Sequence, residues 1–334
     1  MSLTLDLFIR DPAKLSKTRK HKNKLKEATK MRSKNRLIQC FIILLFTGLI
    51  IYGYEKTDKI EEIEAAAMAA SAIQGVENVL VVFDIDNTLL AAQHPFGSDQ
   101  WFDWQYKLPN GSSEKYIESI DDLLRWLGYC YSVGRWMPPE SNIPIVFKKM
   151  HDLGFKILIL TSRSPSFIYA TEKELLRNGM NAELSSIGIS DKVNDFWKPD
   201  GFINEDEKRE YGWTQNDSKF VFFQNGIFYS NGLNKGLLLK VILRKFYKIM
   251  PKAIVFADDK EKYSLQIEKA CKEMKIESKA FWYTKEDCHV QFFNDAANGL
   301  KDLTKAQYQM LKNAFQSGSG DRIRYVERSI FGCF

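Results

Sequence analysis

Asp84, Asp86 and Thr88 stand at alternate positions directly after the apolar run Val79-Leu80-Val81-Val82-Phe83. Such a run reads as a strand buried on both faces, as in a parallel sheet. Ligands of parallel sheets bind just past the carboxyl ends of the strands. In extended geometry Asp84 and Asp86 point the same way, because the side-chain period is two. Two carboxylates so placed are unfavourable unless they hold a cation or do chemistry. They can share one metal and one substrate. Taken alone, the D-x-D-x-T pattern also fits a polar strand-to-loop turn, with Asp86-Asn87 as turn residues.

Later segments add to it. Phe155-Lys156-Ile157-Leu158-Ile159-Leu160 reads as a second buried strand and ends at Thr161-Ser162-Arg163. Asn234-Lys235-Gly236 opens an apolar helical stretch over residues 237–247. Ala253-Ile254-Val255-Phe256-Ala257 is another buried strand, ending at Asp258-Asp259. Each has an ordinary explanation: Thr161 can end a strand, Lys235 can be a surface lysine, and an acidic pair suits a helix start. Their order is more informative: an aspartate pair, a hydroxyl, a lysine and a second aspartate pair.

That order resembles the haloacid dehalogenase superfamily, whose phosphatases use four such motifs. Phe83-Asp84-Ile85-Asp86-Asn87-Thr88-Leu89-Leu90 looks like the first motif and Thr161 like the second. Lys235 looks like the third and Asp258-Asp259 like the fourth. The resemblance spans about residues 76–285. Asn225-Gly226-Ile227-Phe228-Tyr229 and Asn231-Gly232-Leu233-Asn234-Lys235-Gly236 are similar to a little-characterised bacterial branch of the superfamily.

The resemblance implies an α/β fold: a Rossmann-like parallel sheet flanked by helices, with a cap insertion between the first and second motifs. It implies a Mg²⁺-dependent phosphohydrolase acting on a small phosphate monoester through an aspartyl-phosphate. Asp84 would be the nucleophile, and Asp86 the acid that protonates the leaving oxygen and then deprotonates water. Asp84, Asp86 through its backbone carbonyl and Asp258 would be metal ligands, with Asp259 a second ligand candidate or one acting through water. Mg²⁺ favours such hard oxygens together with water and substrate phosphate. Thr161 and Lys235 complete the catalytic set, and Thr88, Ser162 and Arg163 are assigned to substrate. Members that lack an acid at the Asp86 position are dehalogenase-like. Tyr263 is a departure, since related fourth motifs often carry a small polar residue there. Two readings of other classes stand beside the enzyme: an idle binding protein that keeps the fold, and a membrane-tethered or secreted interaction factor.

Charge is distributed unevenly over the 334 residues. The net +6 hides twelve Lys and Arg against three acids in residues 1–36, a local +9 that leaves −3 for the rest. The globular part is therefore mildly acidic, and nucleic acid is not an expected partner. Residues 37–52 are almost continuously apolar. Sixteen helical residues reach about 24 Å, slightly short of a ~30 Å hydrocarbon core. An uncleaved anchor, a cleaved secretory signal with translation from Met31, and a buried helix all fit. The small residues suited to cleavage, Ala65 to Ala72, come late. Positive-inside logic keeps the basic tail in the cytoplasm and exports the domain, anchored on the periplasmic side of the inner membrane or released.

Of five scattered cysteines, Cys40, Cys130, Cys271, Cys288 and Cys333, four lie outside the apolar run; one bridge is possible if the domain is exported, and spacing does not choose it. His21, His94, His151 and His289 are too dispersed for a metal site or triad.

The expected organisation is a basic tail (1–36), an anchor or signal segment (37–52), a linker helix (53–75) and a catalytic core (76–90 and 143–300). The cap insertion is 91–142, and a C-terminal helix and tail fill 301–334. The insertion carries Trp101, Phe102, Trp104, Tyr106, Trp126 and Trp136, which we expect mostly to pack as its own core or against the main domain. It has an amphipathic helical pattern over 114–127. Ser164 and Pro165 open a helix that ends near Gly179. Residues 185–218 read as a polar excursion. Asn225-Gly226 marks a hairpin within 219–229. A further strand is expected at 279–283 and a helix at 304–315.

Overall fold

The computed structural model describes residues 52–180, 195–214, 219–247 and 250–317. The basic tail, the apolar run up to residue 51 and the end of the chain after residue 317 lie outside the described residues, as does part of the polar excursion. No helix among the described residues is long and apolar enough to cross a membrane.

The elements follow in chain order as β1 (Tyr52–Thr57), α1 (Ile60–Gln74), β2 (Val79–Phe83), β3 (Ala91–Ala92), α2 (Asp99–Lys107), α3 (Ile120–Val133), β4 (Trp136–Met137), α4 (Ile143–Asp152), β5 (Lys156–Thr161) and α5 (Ile168–Arg177). Then come β6 (Asp195–Trp197), α6 (Glu205–Glu210), β7 (Val221–Gln224), β8 (Ile227–Tyr229), α7 (Lys235–Phe246), β9 (Ala253–Asp258), α8 (Glu261–Met274), β10 (Glu277–Tyr283), α9 (Asp287–Asn294) and α10 (Leu300–Ser317).

Eight strands form one sheet in the order β1-β10-β9-β2-β5-β8-β7-β6, parallel from β1 to β8. Only β7 and β6 add antiparallel pairings. Every residue of β2 is buried because helices cover both faces. Val79, Val81 and Phe83 face one core, shared with Ile60, Ile63, Phe147 and Met150. Leu80 and Val82 face the other, shared with Leu237, Val241 and Ile267. The result is the expected α/β architecture, a largely parallel sheet between helical layers.

Strands β9, β2 and β5 are neighbours, with Phe83 level with Ala257 on one side and Ile159 on the other. Their carboxyl ends therefore bring three of the four sequence motifs to one edge. The remaining one, Lys235, arrives with α7, where the Asn234 side chain caps the helix by accepting from Leu237 N. Gly236 allows α7 to close on α8, since a Cβ there would lie 2.2 Å from Gln266 O.

Several local expectations are corrected. Within residues 53–75 the helix expected over Glu61–Ala72 is present, but the segment is not a linker helix throughout. Tyr52–Thr57 is an edge strand registered against β10, and only 60–74 are helical, with Ile60, Ile63, Ala67 and Ala70 buried on the sheet. The helix expected over 114–127 runs instead from Ile120 to Val133, because the Ser119 side chain caps it by accepting from Asp122 N. The Ser164 cap is present, but it opens a 3₁₀ turn at Pro165–Phe167 that leads into α5. The polar excursion contains β6 and α6. The Asn225-Gly226 hairpin is as expected, with both residues at positive φ (49° and 76°) as a two-residue turn requires.

The insertion is anchored at its base by the β3–β4 pair. Its aromatics pack as anticipated, but largely against α10: Trp126 meets Tyr308 and Phe315, and Tyr116 Oη donates to Thr304 Oγ1. Helix α10 spans 300–317, longer than the expected 304–315, and is part of the insertion's own packing.

Candidate active site at the carboxyl edge of the sheet

The chain leaves β2 through a tight loop. Ile85 O accepts from Thr88, Leu89 and Leu90 N, and Asn87 takes a left-handed φ of 58° that its short side chain tolerates. This loop holds Asp84 beside β9, with Asp84 N donating to Ala257 O at 2.9 Å. Asp84 and Asp258 then face Lys235, whose Nζ is 2.5 Å from Asp84 Oδ1 and 2.6 Å from Asp258 Oδ2. Lys235 is fully buried and lies 4.6 Å from the Tyr263 ring centroid. Burial alone would lower its pKa, but Asp258 and Asp84 outweigh that and raise it, so the ammonium stays charged. One ammonium between two carboxylates leaves a deficit, and burial pushes the Asp84 carboxyl up to about 7 against the pull of Lys235.

Asp259 completes this cluster. Ligand oxygens of Asp84, Asp258 and Asp259 all lie within 4.8 Å of one another. Burial holds the Asp259 carboxyl well above its usual range, with Lys260 opposing. Its Oδ2 accepts from Asn87 Nδ2 at 3.2 Å, and Asp258 Oδ1 accepts from Lys260 N at 2.9 Å.

Asp86 points instead toward β5. Arg163 Nε donates to Asp86 Oδ2 at 2.9 Å and Nη2 to Oδ1 at 2.8 Å, a two-point fork. The Asp86 carboxylate is therefore not part of the three-aspartate cluster. Thr161 is fully buried at the end of β5, and its Oγ1 accepts from Arg163 N. That leaves its own proton free to donate. Ser162 Oγ donates to Tyr263 Oη at 3.2 Å. Thr88 is fully buried, its hydroxyl without a hydrogen-bond partner among the described residues.

The structure thus brings Asp84, Asp86, Thr161, Lys235, Asp258 and Asp259 to one edge. Of the residues assigned to substrate, Arg163 is bound to Asp86 and Thr88 is buried. Sequence reasoning missed Lys260, which spans to the insertion at Asp99 (3.0 Å) and Asp103 (3.2 Å). The i,i+4 spacing of those two acids on α2 was the available signal. It also missed Tyr131 and Trp136, whose rings flank Arg163.

The donor set suits a hard divalent cation. Asp84, Asp258 and Asp259 offer it only oxygen ligands, within 4.8 Å of one another.

The family model described as protein of unknown function (DUF2608) matches residues 56–319. The chain belongs to the DUF2608 family. The matched span starts inside β1 and ends just past α10, so it takes in the whole site. Comparison with curated proteins and with solved structures gives no match.

Proposed function

We propose that this DUF2608 protein is a Mg²⁺-dependent phosphohydrolase of the haloacid dehalogenase type, acting on a small phosphate monoester. The observation that carries the reading is the buried Asp84–Lys235–Asp258 triad at the carboxyl edge of the sheet, with Asp86 two residues on. Asp84 attacks phosphorus, the ester P–O bond breaks, and the leaving oxygen takes a proton from Asp86. Water then attacks the aspartyl-phosphate and gives its proton to Asp86. The bond between Asp84 and phosphorus breaks, freeing inorganic phosphate. Lys235 balances negative charge on Asp84 and the phosphoryl group, and the Thr161 hydroxyl donates to a phosphoryl oxygen. Asp84, Asp258 and Asp259 would hold Mg²⁺, which offsets repulsion between the carboxylate and the phosphate dianion.

The test is Mg²⁺-dependent hydrolysis of an aryl phosphate by the purified protein and by Asp84→Asn. The amide keeps the shape of the side chain but is no nucleophile, so turnover should vanish while the fold persists. Substantial turnover by the variant would show that Asp84 is not the nucleophile.

A further inference from the structure

Arg163 follows the Thr161 strand end by two residues, where a phosphoryl-binding group would be looked for. Its geometry serves another purpose. The guanidinium side chain is 2% exposed, and its fork closes on both oxygens of Asp86 rather than opening toward the three-aspartate cluster. A third N–H, on Nη1, donates to Thr171 Oγ1 of α5 at 3.1 Å. One face of the plane lies 4.0 Å from the Tyr131 ring centroid of α3, and Trp136 of β4 is 5.1 Å away. Tyr131 is itself wedged between Trp136 and Phe167, at 5.0 and 5.1 Å between ring centroids. The main chain is pinned too, with Arg163 N on Thr161 Oγ1 and Arg163 O accepting from Asn231 N. Side chain and backbone are thus fixed from the core and from the insertion together.

We infer that Arg163 is a positioning residue for Asp86, and that Tyr131 and Trp136 of the insertion set its orientation. The inference rests on the phosphohydrolase reading. A carboxyl group offers about four positions on its two oxygens, each a lone pair or the site of a proton. The fork takes two of them and fixes the carboxyl plane, which leaves the others to carry the proton given to the leaving oxygen and then to accept the one from the attacking water. Fixing one plane matters because proton transfer needs a donor–acceptor separation near ~3 Å. The insertion therefore contributes to the chemistry through the aromatic faces that hold a guanidinium.

The experiment uses the full chain with Mg²⁺ and two esters, p-nitrophenyl phosphate and phenyl phosphate. Nitrophenolate leaves readily without a proton, whereas phenolate needs one. Arg163→Gln should lower kcat/KM on phenyl phosphate about 100-fold and on p-nitrophenyl phosphate about tenfold. On an Asp86→Asn background the same change should cost less than about twofold, because both substitutions remove one function. Arg163→Lys should recover part of the loss. Tyr131→Leu leaves both charges in place, which guards against a folding defect in the arginine variants. It should cost about tenfold alone and nothing on the Asp86→Asn background. Losses that multiply in the double variants would overturn the inference. So would a rise in KM with kcat intact, which would make Arg163 a phosphoryl ligand. If the unaltered protein hydrolyses neither ester, the phosphohydrolase reading falls, and this inference falls with it.

Discussion

Lys260 reaches from the end of the fourth motif to Asp99 of the insertion, with Nζ 3.0 Å from Asp99 Oδ2. Burial raises the Asp99 carboxyl, and Lys260 counters it. The pair therefore ties the insertion to the edge of the sheet that carries Asp84, Asp258 and Asp259. Lys260→Met should leave Asp99 facing Asp259 without a cation, while Asp103 keeps Lys107 at 3.0 Å. We expect a loss of about 1–3 kcal/mol in urea unfolding, partly recovered in Lys260→Met/Asp99→Asn. Equal stability of the single variant and the unaltered protein would show that the bridge contributes nothing.

Removing metal should silence hydrolysis of an aryl phosphate, and Mg²⁺ should restore it. Ca²⁺ should not, because it takes more ligands at longer distances and misplaces Asp84. A second readout is independent of turnover. Mg²⁺ should raise the melting temperature of the unaltered protein and not that of Asp258→Asn. Full activity in EDTA would exclude the proposed metal.

Glu207 provides a pH test away from the candidate site. It caps α6 with Asn204 and accepts from Arg244 at 2.8 and 2.9 Å, while Lys240 Nζ lies 2.7 Å away. Burial opposes ionisation, but Arg244, Lys240 and the Asn204 N–H prevail and lower its pKa to about 2. An exposed glutamate titrates near ~4.3, so the stabilisation is complete above that value and is lost as pH falls toward 2. Glu207→Gln should cost roughly 2 kcal/mol at neutral pH, and the deficit should shrink to nothing near pH 2. A deficit that stays constant across this range would assign the effect to packing rather than charge.

The topological proposal follows from the +9 charge of residues 1–36 ahead of the apolar run 37–52. Lysine and arginine resist transfer, so the catalytic domain should lie across the membrane from the tail. A reporter fused after Phe334 and active only when exported should give signal. One active only in the cytoplasm should not. Signal from the cytoplasmic reporter alone would make 37–52 part of a soluble enzyme.

How legible the protein was depends on the range of the interaction. Strands β2, β5 and β9 could be read because each is a continuous apolar run ending in polar chemistry. The hairpin could be read because Asn225 and Gly226 alone set its backbone. Strand β1 could not, because an edge strand with exposed Glu55 and Lys56 has no continuous apolar signature. The role of Arg163 was equally hidden. Its partner Asp86 is 77 residues away, and the rings that hold it belong to the insertion. Pattern and local capping specify which elements form, whereas the choice of a distant partner is made only when the sheet assembles.

That order of assembly bears on β1 itself. Thr284 donates through both its backbone N–H and its hydroxyl to Thr57 O, across 227 residues of chain. The first strand of the domain to be synthesised is therefore among the last to find its place. Until β10 has been made, the backbone of 52–57 has no sheet to join, and until 52–57 dock, β10 presents an open edge. A chain threaded from its amino end would have to keep this segment unpaired through nearly all of its synthesis.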